Sequence, residues 1–133
     1  MGFFKRLFGI CETREPSDAG CWTCVEDRLE IMLDRAPELA DAGGAIRLEG
    51  PSLPCRVLVV HGQDGSFHAF PNRCTHIGHR RLDPLPGEAK VRCSSIGKST
   101  FDYEGQRLSG SATQPIKPLR VEMESGKLIV RFD

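Results

Sequence analysis

The chain has 133 residues, 39% of them hydrophobic, and its 18 lysines and arginines balance 18 aspartates and glutamates. That length suits one domain with a short tail, and the balanced charge leaves no footprint for nucleic acid or another polyelectrolyte. No apolar run reaches the length of a membrane-spanning helix.

Residues 1–27 read as an amino-terminal tail. The opening M-G-F-F-K-R-L-F-G-I lacks the apolar stretch and small-residue cleavage site of an export signal, and Arg6 stands where a myristoylation signal needs Ser or Thr. A cytoplasmic location is expected. Phe3, Phe4, Leu7 and Phe8 fall at helical spacing around Lys5 and Arg6. They suit a membrane-surface or partner-docking helix. So short a helix is marginal alone, and the preferred reading is a helix packed on its own domain or a dimer contact. The six cysteines are Cys11, Cys21, Cys24, Cys55, Cys74 and Cys93. In a chain without an export signal they point to metal or redox use rather than a disulfide framework. Cys21-Trp22-Thr23-Cys24 is a C-x-x-C with no second pair for a zinc ribbon and no βαβ setting for a thioredoxin motif. With Cys11 it makes three thiolates for a local metal or redox site, and incidental cysteines account for it equally well.

In Arg28–Asp34, Leu29, Ile31 and Leu33 alternate with polar residues as in a strand, while Val25, Leu29, Met32, Leu33 and Ala36 fit a helix nearly as well. Pro37 ends either one. Residues 36–42 suit a short helical turn, broken by Gly43-Gly44. From there the pattern is β: Ala45–Leu48, Arg56–His61, a hairpin at Asp64-Gly65, and Ser66–Phe70 with Phe67 and Phe70 as core candidates. Cys55 follows Pro54 at a strand start and reads as a buried thiol. His61 and His68 read as structural or surface histidines. Further strands are expected at Lys90–Arg92, Thr100–Tyr103, Gln106–Leu108, and a last hairpin of Leu119–Met123 and Leu128–Phe132 around Ser125-Gly126.

The most informative stretch runs from Asn72 to Tyr103. Cys74-Thr75-His76 is a C-x-H, and Cys93 heads a second loop-like segment. Turn formers, Asp83-Pro84 and Pro86-Gly87, and a short alternation over Ala89–Arg92 join the two. By residue type alone, Cys74, His76, His79 and Cys93 make a plausible Cys2His2 set for tetrahedral zinc. Gly97-Lys98-Ser99 is not a phosphate loop, because Arg92 stands where its upstream glycine is needed.

This layout resembles the Rieske [2Fe-2S] family, whose C-x-H and C-x-x-H loops hold a cluster between two cysteines on one iron and two histidines on the other. Neutral imidazole donates less charge than thiolate, which raises the potential. The resemblance covers residues 28–132. It includes the exit F-D-Y-E-G-Q-R-L-S-G-S-A at 101–112 and the closing P-I-K-P-L-R-V-E-M-E-S-G-K-L-I-V at 115–130. It selects the strand over the helix at Arg28–Asp34. It implies an all-β fold: an antiparallel β-sandwich over 28–133, with a two-loop cluster-binding subdomain at residues 72–82 and 92–100.

The resemblance implies a [2Fe-2S] cofactor held by Cys74, His76 and Cys93. Ile96 stands at the second histidine's position and has no donor atom. His79 is the first candidate replacement ligand, with Ser94, Ser95 and Lys98 beside the gap. Water or an outside ligand completing the iron, and a cluster-free scaffold, are the other readings. Phe101-Asp102 comes one position later than the family spacing, which implies a longer second loop. Respiratory members bridge the loops by a disulfide whose positions are His79 and Ser95 here, so that bond is absent and His79 would lie near the cluster. The implied function is one-electron transfer between larger redox enzymes rather than catalysis, since there is no room for an oxygenase's mononuclear-iron domain. Arg73, Arg80, Arg81 and Lys98 would either steer an acidic redox partner or form a solvated rim. Lys98 and Ser99 could donate hydrogen bonds toward cluster sulfurs. The alternatives are a cluster-free accessory module, as in small subunits of nitrite reductases, and a mononuclear Cys/His metal site.

Overall fold

The run Val57-Leu58-Val59-Val60 lies at the centre of the molecule, and all four side chains are fully buried. A strand turns successive side chains to opposite faces, so an unbroken apolar run needs cover on both. The computed structural model shows what covers them, describing residues 12–73, 81–94, 99–110 and 114–133. Outside these lie the expected amino-terminal helix, Cys11, Cys74, His76, His79, Arg80, Ser95, Ile96 and Lys98.

The strands are β1 (Trp22–Val25), β2 (Arg28–Met32), β3 (Ala45–Leu48), β4 (Val57–His61), β5 (Phe67–Pro71), β6 (Leu82–Pro84), β7 (Lys90–Cys93), β8 (Thr100–Asp102), β9 (Arg107–Ser109), β10 (Arg120–Glu124) and β11 (Lys127–Arg131). They form three antiparallel sheets. An outer sheet has the order β1-β2-β11-β10, a central sheet β3-β4-β5, and a loop sheet β6-β7-β8-β9. The expected antiparallel β-sandwich is thus present.

The central sheet separates two cores. On one face Val57, Val59, Ile46, Leu48 and Ala69 meet Leu29, Ile31, Leu128 and Val130 of the outer sheet. On the other, Leu58, Val60 and Phe70 meet Leu82, Val91, Cys93 and Phe101 of the loop sheet, with Tyr103 and Ile116. Each buried aliphatic side chain contributes about 1.5–3 kcal/mol relative to exposure. The alternation thus decides both the faces of the sandwich and where the loop sheet rests.

Turn chemistry explains most of the hairpins. Ser125 and Gly126 both take positive φ, 46° and 81°, in the two-residue turn between β10 and β11. That backbone matches the right-handed twist of the flanking strands. Gly105, at φ 84°, sits against the Ile116 carbonyl, where any side chain would collide.

Several elements differ from the sequence expectation. Trp22–Val25, expected within the tail, is strand β1 and pairs with β2 in the register Trp22↔Ile31 to Val25↔Arg28. Asp83-Pro84, expected as a turn, closes strand β6. Proline is tolerated there because β6 is an edge strand and needs no outward N–H at that position. The chain instead turns at Leu85–Glu88, where Glu88 N donates to the Leu85 carbonyl at 3.1 Å. Cys55 is half-buried rather than buried, though burial still pushes its thiol up. The strand at Arg28–Met32 ends in a 3-10 turn at Leu33–Arg35, and Pro37–Leu39 forms another. No helix among the described residues is long and apolar enough to cross a membrane.

Candidate metal site

The buried polar residues of the described chain share one location. They are Asn72, Ser94, Ser99 and Thr100, and each falls within one of the two stretches, residues 72–82 and 92–100, that the sequence marks as loops. Burying a polar side chain costs free energy unless it is hydrogen bonded, so such a cluster marks a place shaped for something other than packing.

Of the residues expected to hold a metal, Cys93 is described, while Cys74, His76 and His79 lie outside the described residues. Cys93 ends β7 with 2% of its surface exposed, inside the second core. Its backbone N donates to the Ser99 carbonyl at 2.8 Å, closing the neck of the second loop. Across the sheet Cys93 faces Leu82, and Ser94 N donates to the Arg81 carbonyl at 2.9 Å, joining the stems of the two loops. Sequence reasoning missed Asn72 as an organiser of the first loop. Its backbone N donates to the Arg56 carbonyl at 2.8 Å, and its Oδ1 accepts from Leu82 N at 2.8 Å, closing that neck as well. Its Nδ2 is buried with no hydrogen-bond partner among the described residues. An asparagine two residues before the cysteine of the C-x-H was the available signal.

These features fit a sulfur-bound metal group on its thiolate side. A dry thiol stands at the stem of one loop, and at the neck of the other is a buried amide donor that has no partner among the described residues. A bound metal would take the thiol as thiolate. Among the described residues no group of three or more His, Cys, Asp or Glu is placed to hold a metal ion.

The charged rim is partly committed. Arg81 donates to both carboxylate oxygens of Glu49 from Nε and Nη2 on one edge of its guanidinium, at 2.5 and 2.8 Å. That hydrogen bonding, with the nearby Arg47, holds the Glu49 carboxyl below the usual carboxylate range against the opposing effect of burial. Arg73 is exposed.

The other sequence candidates sit elsewhere. His61 donates from Nδ1 to the Leu39 carbonyl at 2.8 Å and tilts over Phe67. His68 bonds Asp64 at 2.9 Å and stacks on Tyr103, with ring centroids 4.2 Å apart. Both are engaged structurally, away from the loop stems. In the C-x-x-C, Cys21 is fully buried in the first core and Cys24 lies on edge strand β1, and burial raises both thiols.

No protein-family model and no curated protein matches the chain. Solved structures do. The ferredoxin of carbazole 1,9a-dioxygenase from Nocardioides aromaticivorans IC177 is 17% identical, with a TM-score of 0.59 over 84% of this chain and 98% of that one. The plasma membrane Rieske protein PetC3 from Synechocystis PCC 6803 is 22% identical, with a TM-score of 0.54 over 65% of this chain and 85% of that one. The quaternary ammonium Rieske monooxygenase CntA matches at 22% identity and a TM-score of 0.58 over 86% of this chain, which spans only 34% of the enzyme. At these identities the likeness is one of fold, and the fold is that of Rieske domains.

Proposed function

We propose that the chain is a one-electron carrier whose two loops hold a [2Fe-2S] cluster with an atypical ligand set. The observation that carries this reading is the convergence of a Rieske fold with a buried Cys93 and a set of buried polar residues at the stems of the two loops. Cys74 and Cys93 would supply thiolates to one iron and His76 an imidazole to the other, with His79 the first candidate for the position at which Ile96 offers no donor. A cluster so held supplies a single reversible electron and no bond-making chemistry of its own. The protein's part is to hold the loop stems in register, keep water from the thiolate side and leave the histidine side toward a partner.

The near full-length match to a dioxygenase ferredoxin supports a carrier that docks on larger redox enzymes. A complex of oxygenase and oxidized ferredoxin in carbazole 1,9a-dioxygenase is among the similar structures, at 20% identity and a TM-score of 0.57. It supports a protein partner. Ile96 favours a second reading, in which the fold persists as a cluster-free interaction module.

Iron and acid-labile sulfide analysis on protein purified without oxygen separates these. The carrier predicts about two irons and two sulfides per chain, with visible absorption. Bound zinc without sulfide would instead assign a mononuclear Cys/His site, and no metal would assign the interaction module.

A further inference from the structure

The exit stem of the first loop is tied down by residues distant in sequence. Asp83, in β6, accepts from Glu12 N at 2.9 Å, Thr13 N at 2.8 Å and Thr13 Oγ1 at 2.6 Å. The Thr13 carbonyl accepts from Arg47 Nε at 3.0 Å, and the Arg14 carbonyl accepts from Arg47 N at 3.0 Å. Residues 12–14 therefore run along β3, the edge of the central sheet, while reaching across to the loop sheet. Arg47 pairs with Glu49 at 3.1 Å, and both carboxylate oxygens of Glu49 accept from Arg81. The path closes on itself: Asp83 to Thr13, Thr13 to Arg47, Arg47 to Glu49, Glu49 to Arg81, and Arg81 by two peptide bonds back to Asp83.

β6 is short, three residues long, and lies at a sheet edge. Its own pairing with β7 cannot fix how the stem stands against the central sheet. The ring does so from both sides of Leu82, whose amide is the one Asn72 captures. Charge-assisted hydrogen bonds are roughly twice as strong as neutral ones, and those in a closed network support one another.

We infer that residues 12–14, Arg47, Glu49 and Asp83 form a brace that positions the exit stem of the Cys74/His76 loop against the central sheet. This rests on the reading of that loop as metal-binding. Glu49, Asp83 and Thr13 act as positioning residues, and the amino-terminal segment is part of the site's scaffold.

The test uses the full chain carrying Glu49→Gln, Asp83→Asn, both together, or Val130→Ala as a destabilised control in the first core. In the metal-free protein, amide exchange at Leu82 and Ser94 should quicken about tenfold in each brace variant while β11 keeps its protection. The double variant should be less than additive, because the two changes break one ring. In protein reconstituted with iron and sulfide, chelator-driven iron release should quicken severalfold in the brace variants and stay at the wild-type rate in Val130→Ala. Unchanged exchange at Leu82 and Ser94 would overturn the brace. Faster exchange with unchanged iron release would overturn its positioning role. A wild-type chain that takes up no iron would overturn the metal reading instead, and is told apart because exchange at the stem still responds.

Discussion

The two cores flanking β4 are built to different rules. The first, between the central and outer sheets, is aliphatic apart from the buried Cys21 and some flanking aromatics: Leu29, Ile31, Ile46, Leu48, Val57, Val59, Leu128 and Val130. The second, between the central and loop sheets, includes Cys93 and Tyr103, and Asn72, Ser94, Ser99 and Thr100 lie buried on the adjoining loop stems. The first meets the demand of burial alone. The second adjoins buried polar groups, one of them with a donor that has no partner among the described residues, at positions on the loop stems rather than in the packing. In a sandwich whose halves share a strand, the half that departs from apolar packing is where function is to be sought.

The largest test of this contrast is Phe101→Ala, which empties the centre of the second core and should cost about 3–5 kcal/mol. Because β4 feeds both cores, urea unfolding of the variant should remain one cooperative transition, and two separated transitions would mean the cores are independent units. Asn72→Ala comes next. It strands the Leu82 N–H in a buried setting and should cost about 1–3 kcal/mol by the same measurement. Glu26→Gly has the opposite sign. Glu26 holds φ 57° in the turn between β1 and β2, so glycine there should stabilise by about 0.5–1 kcal/mol, read as a rise in melting temperature.

The smallest expected effect concerns acid. Glu49 is held below the ordinary carboxylate value in the folded chain by Arg81 and Arg47. Its pairing therefore stabilises fully above that ordinary value, about pH 4.3, and fades as pH falls through the lowered folded value. Glu49→Gln should flatten this acid limb of a stability–pH curve. An unchanged acid limb would show that the pair contributes no more than a solvated rim does.

The first core was the more legible half. An apolar run of strand length at β4, β-type patterning at β5, β10 and β11, and the turn signals at Asp64-Gly65 and Ser125-Gly126 place these strands within about a residue of where they stand. β1 escaped because its turn uses Glu26-Asp27, with a left-handed glutamate where Gly or Asn is the usual sign. β6 escaped because Asp-Pro is a turn former in isolation, and only an edge position makes it a strand end. At the site, Cys93 was legible as a motif member. The ring at Asp83 was not, since it joins residues 71 positions apart and no local pattern encodes such a contact. From sequence Arg81 is either a steering charge for an acidic partner or part of a solvated rim, and its engagement by Glu49, far away in sequence, could not be read there.

The claim that this chain carries single electrons is tested most directly by an EPR-monitored reductive titration of the protein purified without oxygen. The account predicts one S = 1/2 signal of about one spin per chain, appearing in a single one-electron wave and abolished by Cys93→Ala in protein that still folds. A chain that accepts no electron, or whose reducible signal survives Cys93→Ala unchanged, would contradict it.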